Sequence, residues 1–167
     1  MSDLYSMDVQ KELAKAQQAH KSNKRFLGKL KRRPPKQLDA VVRDLHDEVF
    51  AEVNCLHCAN CCKTTSPIVR DIDVERLAQH LRLRPAELIE RYMFLDQDGD
   101  YVMNTAPCPF LGADNYCSVY EARPKACREY PHTDRKNFHQ ILGLTLKNTL
   151  VCPAVGRVVE QLKQVYS

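Results

Sequence analysis

The chain of 167 residues has only five glycines and contains no G-x-G-x-x-G, Walker-type or H-E-x-x-H pattern. That is too little glycine for the phosphate-cradling loops of nucleotide-dependent chemistry, and no short catalytic motif takes their place. Long hydrophobic runs are missing as well. No stretch of about 18 apolar residues occurs and mean hydropathy is -0.47, so a spanning helix is excluded. Met1 to Gln10 lacks an apolar h-region between charged and small-residue flanks, from which we expect a non-exported, cytoplasmic protein with no membrane association. What remains, 28% charged and 44% hydrophobic, has the polarity of one ordinary globular domain.

Charge is unevenly spread. Residues 1–37 hold ten Lys or Arg against Asp3, Asp8 and Glu12, a net of +7, whereas the remainder is net -3, giving the chain its +4. The basic character is therefore N-terminal. A charge run is more often a solvated face than a binding site. Without interleaved aromatics we do not expect Lys29 to Arg33 to bind nucleic acid, and an unidentified acidic protein partner is the expected use of this helix.

The composition from Asp8 to about Leu30 favours helix, but Leu13, Ala16, Phe26, Leu27 and Leu30 make a broken apolar stripe, which predicts loose packing. Pro34-Pro35 stops this helix. A second, from about Lys36 to Val53, carries Leu38, Val41, Val42, Leu45, Val49, Phe50 and Val53 on one face. Ile68-Val69 reads as a short strand. Asp71 reads as the cap of a helix with Val74, Leu77, Ala78 and Leu81 inward. Arg84-Pro85 restarts a helix with Leu88, Ile89, Tyr92 and Met93 inward, and the Asp98-Gly99-Asp100 turn precedes a hairpin strand at Tyr101 to Met103. From Ala106 to Pro131 the chain reads as mostly irregular, before a closing helix from about Ala154 to Val165. Long irregular segments in compact domains need something to hold them.

Cysteine supplies a candidate. Eight are present: Cys55, Cys58, Cys61 and Cys62 in a C-x2-C-x2-C-C cluster, then Cys108, Cys117, Cys127 and Cys152 at wider spacing. In a reducing compartment a patterned thiol set serves metal or redox chemistry rather than structural disulfides. Two intervening residues let successive sulfurs turn towards one centre, which suits both zinc and iron–sulfur clusters. Three thiols at successive two-residue gaps, the repeated Cys-Pro dipeptides Cys108-Pro109 and Cys152-Pro153, and the Pro-rich stretch favour iron–sulfur, of the 4Fe-4S type. The fourth thiol is adjacent, as Cys62, so an ordinary ferredoxin is excluded. Eight thiols suffice for two four-ligand sites, or for one with four left over; Cys152, remote and following Leu150-Val151, is the first to be spared. Arg123 and Arg128 could offset the negative charge of a thiolate-held cluster, or pair with Glu121 or Glu129 at the surface. His57 reads as a solvated loop position.

Cys55 to Cys62, with Cys108-Pro-Phe-Leu and Cys117-Ser-Val-Tyr-Glu-Ala-Arg-Pro-Lys-Ala-Cys127-Arg-Glu-Tyr-Pro, resembles the CxxCxxCC (YkgJ-type) cysteine-cluster family of zinc- or iron-chelating or iron–sulfur proteins. The resemblance covers about Cys55 to Pro131. A glycine that the family often has before its third sulfur is replaced by Ala59-Asn60 here. The resemblance implies Cys55, Cys58, Cys61, Cys62, Cys108, Cys117 and Cys127 as the metal set. The function we expect is an iron–sulfur (or zinc) binding protein, an electron-transfer or redox accessory factor. Flagellin lysine N-methylases are similar in their cysteine cluster, which opens a protein-modifying enzyme as the alternative, although no S-adenosylmethionine motif is present. A structural zinc module that presents the basic helix to a partner is the third reading.

The expectation is a small, mostly helical α+β domain with an irregular, metal-organised cysteine-rich centre. It divides into a basic helical extension (1–35) and a cysteine-cluster metal-binding domain (36–167).

Overall fold

The computed structural model describes residues 8–167; the part of the basic extension before Asp8 lies outside them. In chain order the elements are α1 (Val9–Arg32), α2 (Leu38–Glu52), α3 (Cys55–Cys58), α4 (Asn60–Thr64), β1 (Ile68–Val69), α5 (Asp71–Leu81), α6 (Pro85–Tyr92), β2 (Met93–Leu95), β3 (Tyr101–Met103), α7 (Lys125–Glu129), α8 (Leu142–Asn148) and α9 (Pro153–Tyr166). The fold is α+β and mostly helical, as the sequence predicts. No helix among the described residues is long and apolar enough to cross a membrane. The described residues gather into two compact units, one of 8–55 with 131–167 and one of 56–130.

The first unit is helical. Asp8 caps α1, its carboxylate accepting from the Lys11 N–H at 3.1 Å, and α1 packs on α8 and α9 while α2 packs on α9. Its core gathers Leu27 and Leu30 of α1, Leu38, Val42 and Val49 of α2, Phe138, Leu142, and Ala154, Val155, Val158, Val159 and Leu162 of α9. This corrects the expectation of a loosely packed first helix. The broken stripe suffices because α9 meets it with small residues: a methyl added at Gly156 would stand 3.6 Å from Ala16 Cβ. Polar links reinforce the pair, Lys163 Nζ donating to Ser22 Oγ at 3.3 Å and Arg157 Nε lying 3.5 Å from Glu12 Oε2. Asp39 anchors the return of the chain by accepting from the N–H groups of Asn137 and Phe138 at 2.7 and 2.9 Å. Helix α8 had no counterpart in the sequence reading.

The second unit wraps a small antiparallel sheet of order β1-β3-β2, in register Ile68 with Val102 and Met93 with Met103. Met93, expected on the inward face of a helix, instead ends α6 as its C-cap and opens β2. The β2–β3 turn is built by Asp96, whose carboxylate accepts from the N–H groups of Asp98 and Asp100, and by Gly99 at φ 81°, a conformation most side chains resist. Val69, Val74, Leu77, Ala78, Leu88, Met93, Met103, Phe110, Val119 and Ala122 form its core. Each large side chain so buried contributes roughly 1.5–3 kcal/mol of transfer free energy.

One cap expectation is corrected. Arg70, not Asp71, is the N-cap of α5, and the carboxylate that reaches back to it is Asp73, accepting from Arg70 N–H at 3.1 Å.

Candidate metal centre

The cysteine cluster folds as two short helices joined at Ala59, which adopts a left-handed φ of 46°. That reversal separates Cys55 and Cys58 on α3 from Cys61 and Cys62 on α4. Cys55 is exposed and the other three are half-buried. The turn is fixed from downstream, the Thr65 N–H and hydroxyl donating to the Cys61 carbonyl at 2.9 and 2.8 Å.

Loop contacts draw the later cysteines to this pair. The Cys108 N–H donates to the Cys62 carbonyl at 2.8 Å. Leu111 and Cys117 form a β-bridge that closes a tight hairpin, whose Asn115 Nδ2 donates to the His57 carbonyl at 3.0 Å. Gly112 makes this hairpin tight: an added Cβ would stand 2.7 Å from Asp114 Oδ1, which would have to swing away, and 3.3 Å from the Tyr116 carbonyl. Cys127 rides on α7, within the segment expected to be irregular, which holds this helix, the Leu111–Cys117 bridge and a 3-10 turn at Tyr120–Ala122.

The electrostatics show which thiols share one neighbourhood. Cys62 is held down at about 7 by a hydrogen bond with the Cys61 side chain, against its own burial and with help from the Arg123 guanidinium. Burial raises Cys108, the nearby Cys62 and Cys117 raise it further, and N–H groups of Phe110 and Leu111 directed at its sulfur oppose both. Cys117 is raised by burial, opposed by the Val119 N–H. Cys127 is exposed as a residue, yet its thiol is pushed up to about 12, first by desolvation from the groups packed near its sulfur and then by Cys62, Cys108 and Cys117, with Arg123 the opposing charge. Four thiols from separate stretches of chain thus lie near enough to influence one another's ionisation. Such mutual influence is what a cation resolves, because binding replaces the thiol protons.

Arg123 is the charge in that neighbourhood. It lies over the Tyr120 ring, 3.7 Å from the centroid, its Nε is buried without a hydrogen-bond partner, and it enters no ion pair with Glu121 or Glu129. Glu129 faces Lys125 instead. Arg128 is exposed on α7.

The sequence reading missed the brace behind this loop. Asp73, only 1% exposed, accepts from Arg76 Nη2 at 2.5 Å and from the Lys125 N–H at 3.1 Å. Arg76 in turn donates to the carbonyls of Ala122 and Arg123 at 3.4 and 3.0 Å. Helix α5 thereby fixes the chain between Cys117 and Cys127. Nothing local distinguishes Asp73 from any acid in a first helical turn, so no sequence signal marked it.

Cys152 lies elsewhere, as N-cap of α9 against the helical core of the first unit. None of the eight cysteines is in a disulfide. Among the described residues, no group of three or more His, Cys, Asp or Glu side chains is arranged to hold a metal ion as it stands. The donor chemistry nevertheless fits a thiophilic metal: clustered sulfurs, backbone N–H groups aimed at them, and a guanidinium beside them.

No curated protein and no solved structure gave a significant match to the chain. A family model does match, over residues 54–145, with the description "CxxCxxCC: Putative zinc- or iron-chelating domain". The match covers more than half of the chain, beginning just before Cys55 and passing through every cysteine up to Cys127, and the chain belongs to this family of zinc- or iron-chelating domains.

Proposed function

We propose that the protein carries an iron–sulfur cluster of the 4Fe-4S type and acts as an electron-transfer or redox accessory factor in the cytoplasm. Cys62, Cys108, Cys117 and Cys127 are its ligands, with Arg123 as the charge that tunes it. The observation that carries this reading is the convergence of these four thiols with N–H donors already directed at two of them. Cys55, Cys58 and Cys61 complete the family's motif and are assigned to the same metal-binding region; Arg128 is an outer, exposed contributor of charge, and Cys152 is the spare thiol.

When bound, such a cluster supplies one-electron redox chemistry. The chain's own groups do the rest. The N–H groups of Phe110, Leu111 and Val119 stabilise thiolate over thiol, and the Arg123 guanidinium, desolvated on one side by Tyr120, offsets negative charge. Because the thiols approach one another without a closed coordination sphere, metal binding draws the loops together and adds to the folding free energy of the second unit.

Anaerobic purification with iron, sulfide and zinc determined per chain tests the proposal. Brown protein with about four iron and four sulfide per chain supports it. Colourless protein holding zinc alone overturns it in favour of a structural zinc module.

A further inference from the structure

Helix α1 carries a second feature that the metal centre does not use. Its buried positions are Ala16, Asn23, Leu27 and Leu30, whereas Lys11, Lys15, Lys21, Lys24, Arg25, Lys29, Lys31 and Arg32 are all exposed. At 3.6 residues per turn, Lys21, Arg25, Lys29 and Arg32 fall within a sector of about 80° opposite the buried stripe and extend over about 16 Å. No acidic residue occurs from Leu13 to Leu38. Of these cations only Lys15 makes an ion pair among the described residues, with Glu12 at 2.9 Å.

A helix face that merely meets water usually alternates charge at i,i+4, and this one repeats the same sign at Lys21/Arg25 and Arg25/Lys29, an arrangement that destabilises a helix. The cations of the last turn gain from the helix dipole, but Lys21, Lys24 and Arg25 lie upstream of it. The repulsion is relieved by an anion.

Against the sequence expectation of an acidic protein partner, we infer that the outward face of α1 docks on the sugar–phosphate backbone of a double-stranded nucleic acid. The choice among polyanions follows from what the face lacks. Its exposed positions bear no large apolar or aromatic side chain. A protein partner needs an apolar interface core. Stable attachment to an anionic membrane surface takes an apolar helix face or lipid anchor besides charge, and a single strand needs aromatic side chains to stack its bases. A duplex is held by charge on its phosphates alone. The missing aromatics therefore argue against single strands and leave a duplex as the matching ligand, bound without sequence preference.

The test measures fluorescence anisotropy of a labelled 20-base-pair DNA duplex with the full-length protein from 50 to 200 mM salt. The same-length single strand, polyglutamate and phosphatidylglycerol vesicles are run beside it. Four neutralised phosphates predict a slope of log affinity against log salt of about -3.6, and hence an affinity about 150-fold weaker at the upper salt. The variant Lys21→Gln/Arg25→Gln/Lys29→Gln/Arg32→Gln should lose the slope and the binding, Lys21→Gln/Arg25→Gln should halve the slope, and Arg82→Gln/Arg84→Gln should leave both unchanged. Thermal unfolding of the α1 variants should match or exceed that of the parent, because like charges have been removed. No duplex binding at 50 mM salt, tighter binding to polyglutamate, the single strand or vesicles, or an unchanged slope in the double α1 variant overturns the inference.

Discussion

Asp73→Ala is the substitution with the most to say about how the second unit holds its cysteine loop. Asp73 is 1% exposed and accepts three hydrogen bonds, from the Arg70 N–H, Arg76 Nη2 and the Lys125 N–H. Removing the carboxylate strands two backbone donors and leaves Arg76, itself about a third exposed, with only the Ala122 and Arg123 carbonyls as acceptors. Losing one member of a buried pair costs about 3–5 kcal/mol, and the exposure of Arg76 pulls the expected value towards the lower end, about 3 kcal/mol. Asp73→Asn, which keeps the shape and one acceptor, should cost about 2 kcal/mol, the order of a hydrogen bond to a charged group.

The pH dependence carries a sign. Burial by itself raises the Asp73 pKa, but the hydrogen bonds from Arg70, Arg76 and Lys125 override it and hold the carboxyl below its ordinary value. A folded-state pKa lower than the unfolded one contributes stability that is complete above about pH 4, the unfolded value, and is lost as pH falls through the folded value. Urea unfolding of metal-free, reduced protein at pH 7 and at successive steps below pH 4 should therefore show the parent and Asp73→Asn furthest apart at neutral pH and converging in acid. Equal stability at pH 7, or a gap that widens in acid, would refute the reasoning. Hydrogen exchange at Arg123 to Lys125 gives a local check, since the variant should exchange faster there.

Other perturbations have equally definite outcomes. Serine at Cys62, Cys108, Cys117 or Cys127 should each lower bound metal well below the parent value, because a missing ligand opens the coordination sphere, whereas Cys152→Ser should retain all of it; metal analysis per chain decides. Arg123→Gln removes the charge nearest the thiols and the stacking on Tyr120, and should weaken metal retention in a chelator competition about 10- to 100-fold, with Arg123→Lys recovering part of the loss. Leu27→Ala should destabilise the first unit by about 2–5 kcal/mol in urea unfolding, and a chain beginning at Lys36 should fail to fold that unit, since it also lacks Ala16 and Leu30. Chelation under reducing conditions should open residues 106–131 to limited proteolysis while α1 and α9 stay resistant.

By itself the sequence determined the local elements. The 4- and 7-residue spacing of Leu38, Val42 and Val49 fixes α2 and its buried face. Pro85 fixes the start of α6, and Asp98-Gly99-Asp100 fixes the β2–β3 turn. It also marked the cysteines and their chemical class, because metal-ligand spacing is written in consecutive residues. What only the tertiary structure decided depends on which distant stretches meet. Cys62, Cys108, Cys117 and Cys127 share one neighbourhood because the Cys62–Cys108 backbone hydrogen bond and the Leu111–Cys117 bridge fold the loops together. Cys152, equal to them in sequence, is carried into the other unit by the start of α9. The weak stripe of α1 becomes core only once Gly156 and its neighbours on α9 lie against it, and Asp73, already paired with Arg76 one turn along α5, becomes a brace only once Lys125 reaches it. A residue's spacing sets its local conformation, whereas its burial and its partners are properties of long-range pairing that no local window contains.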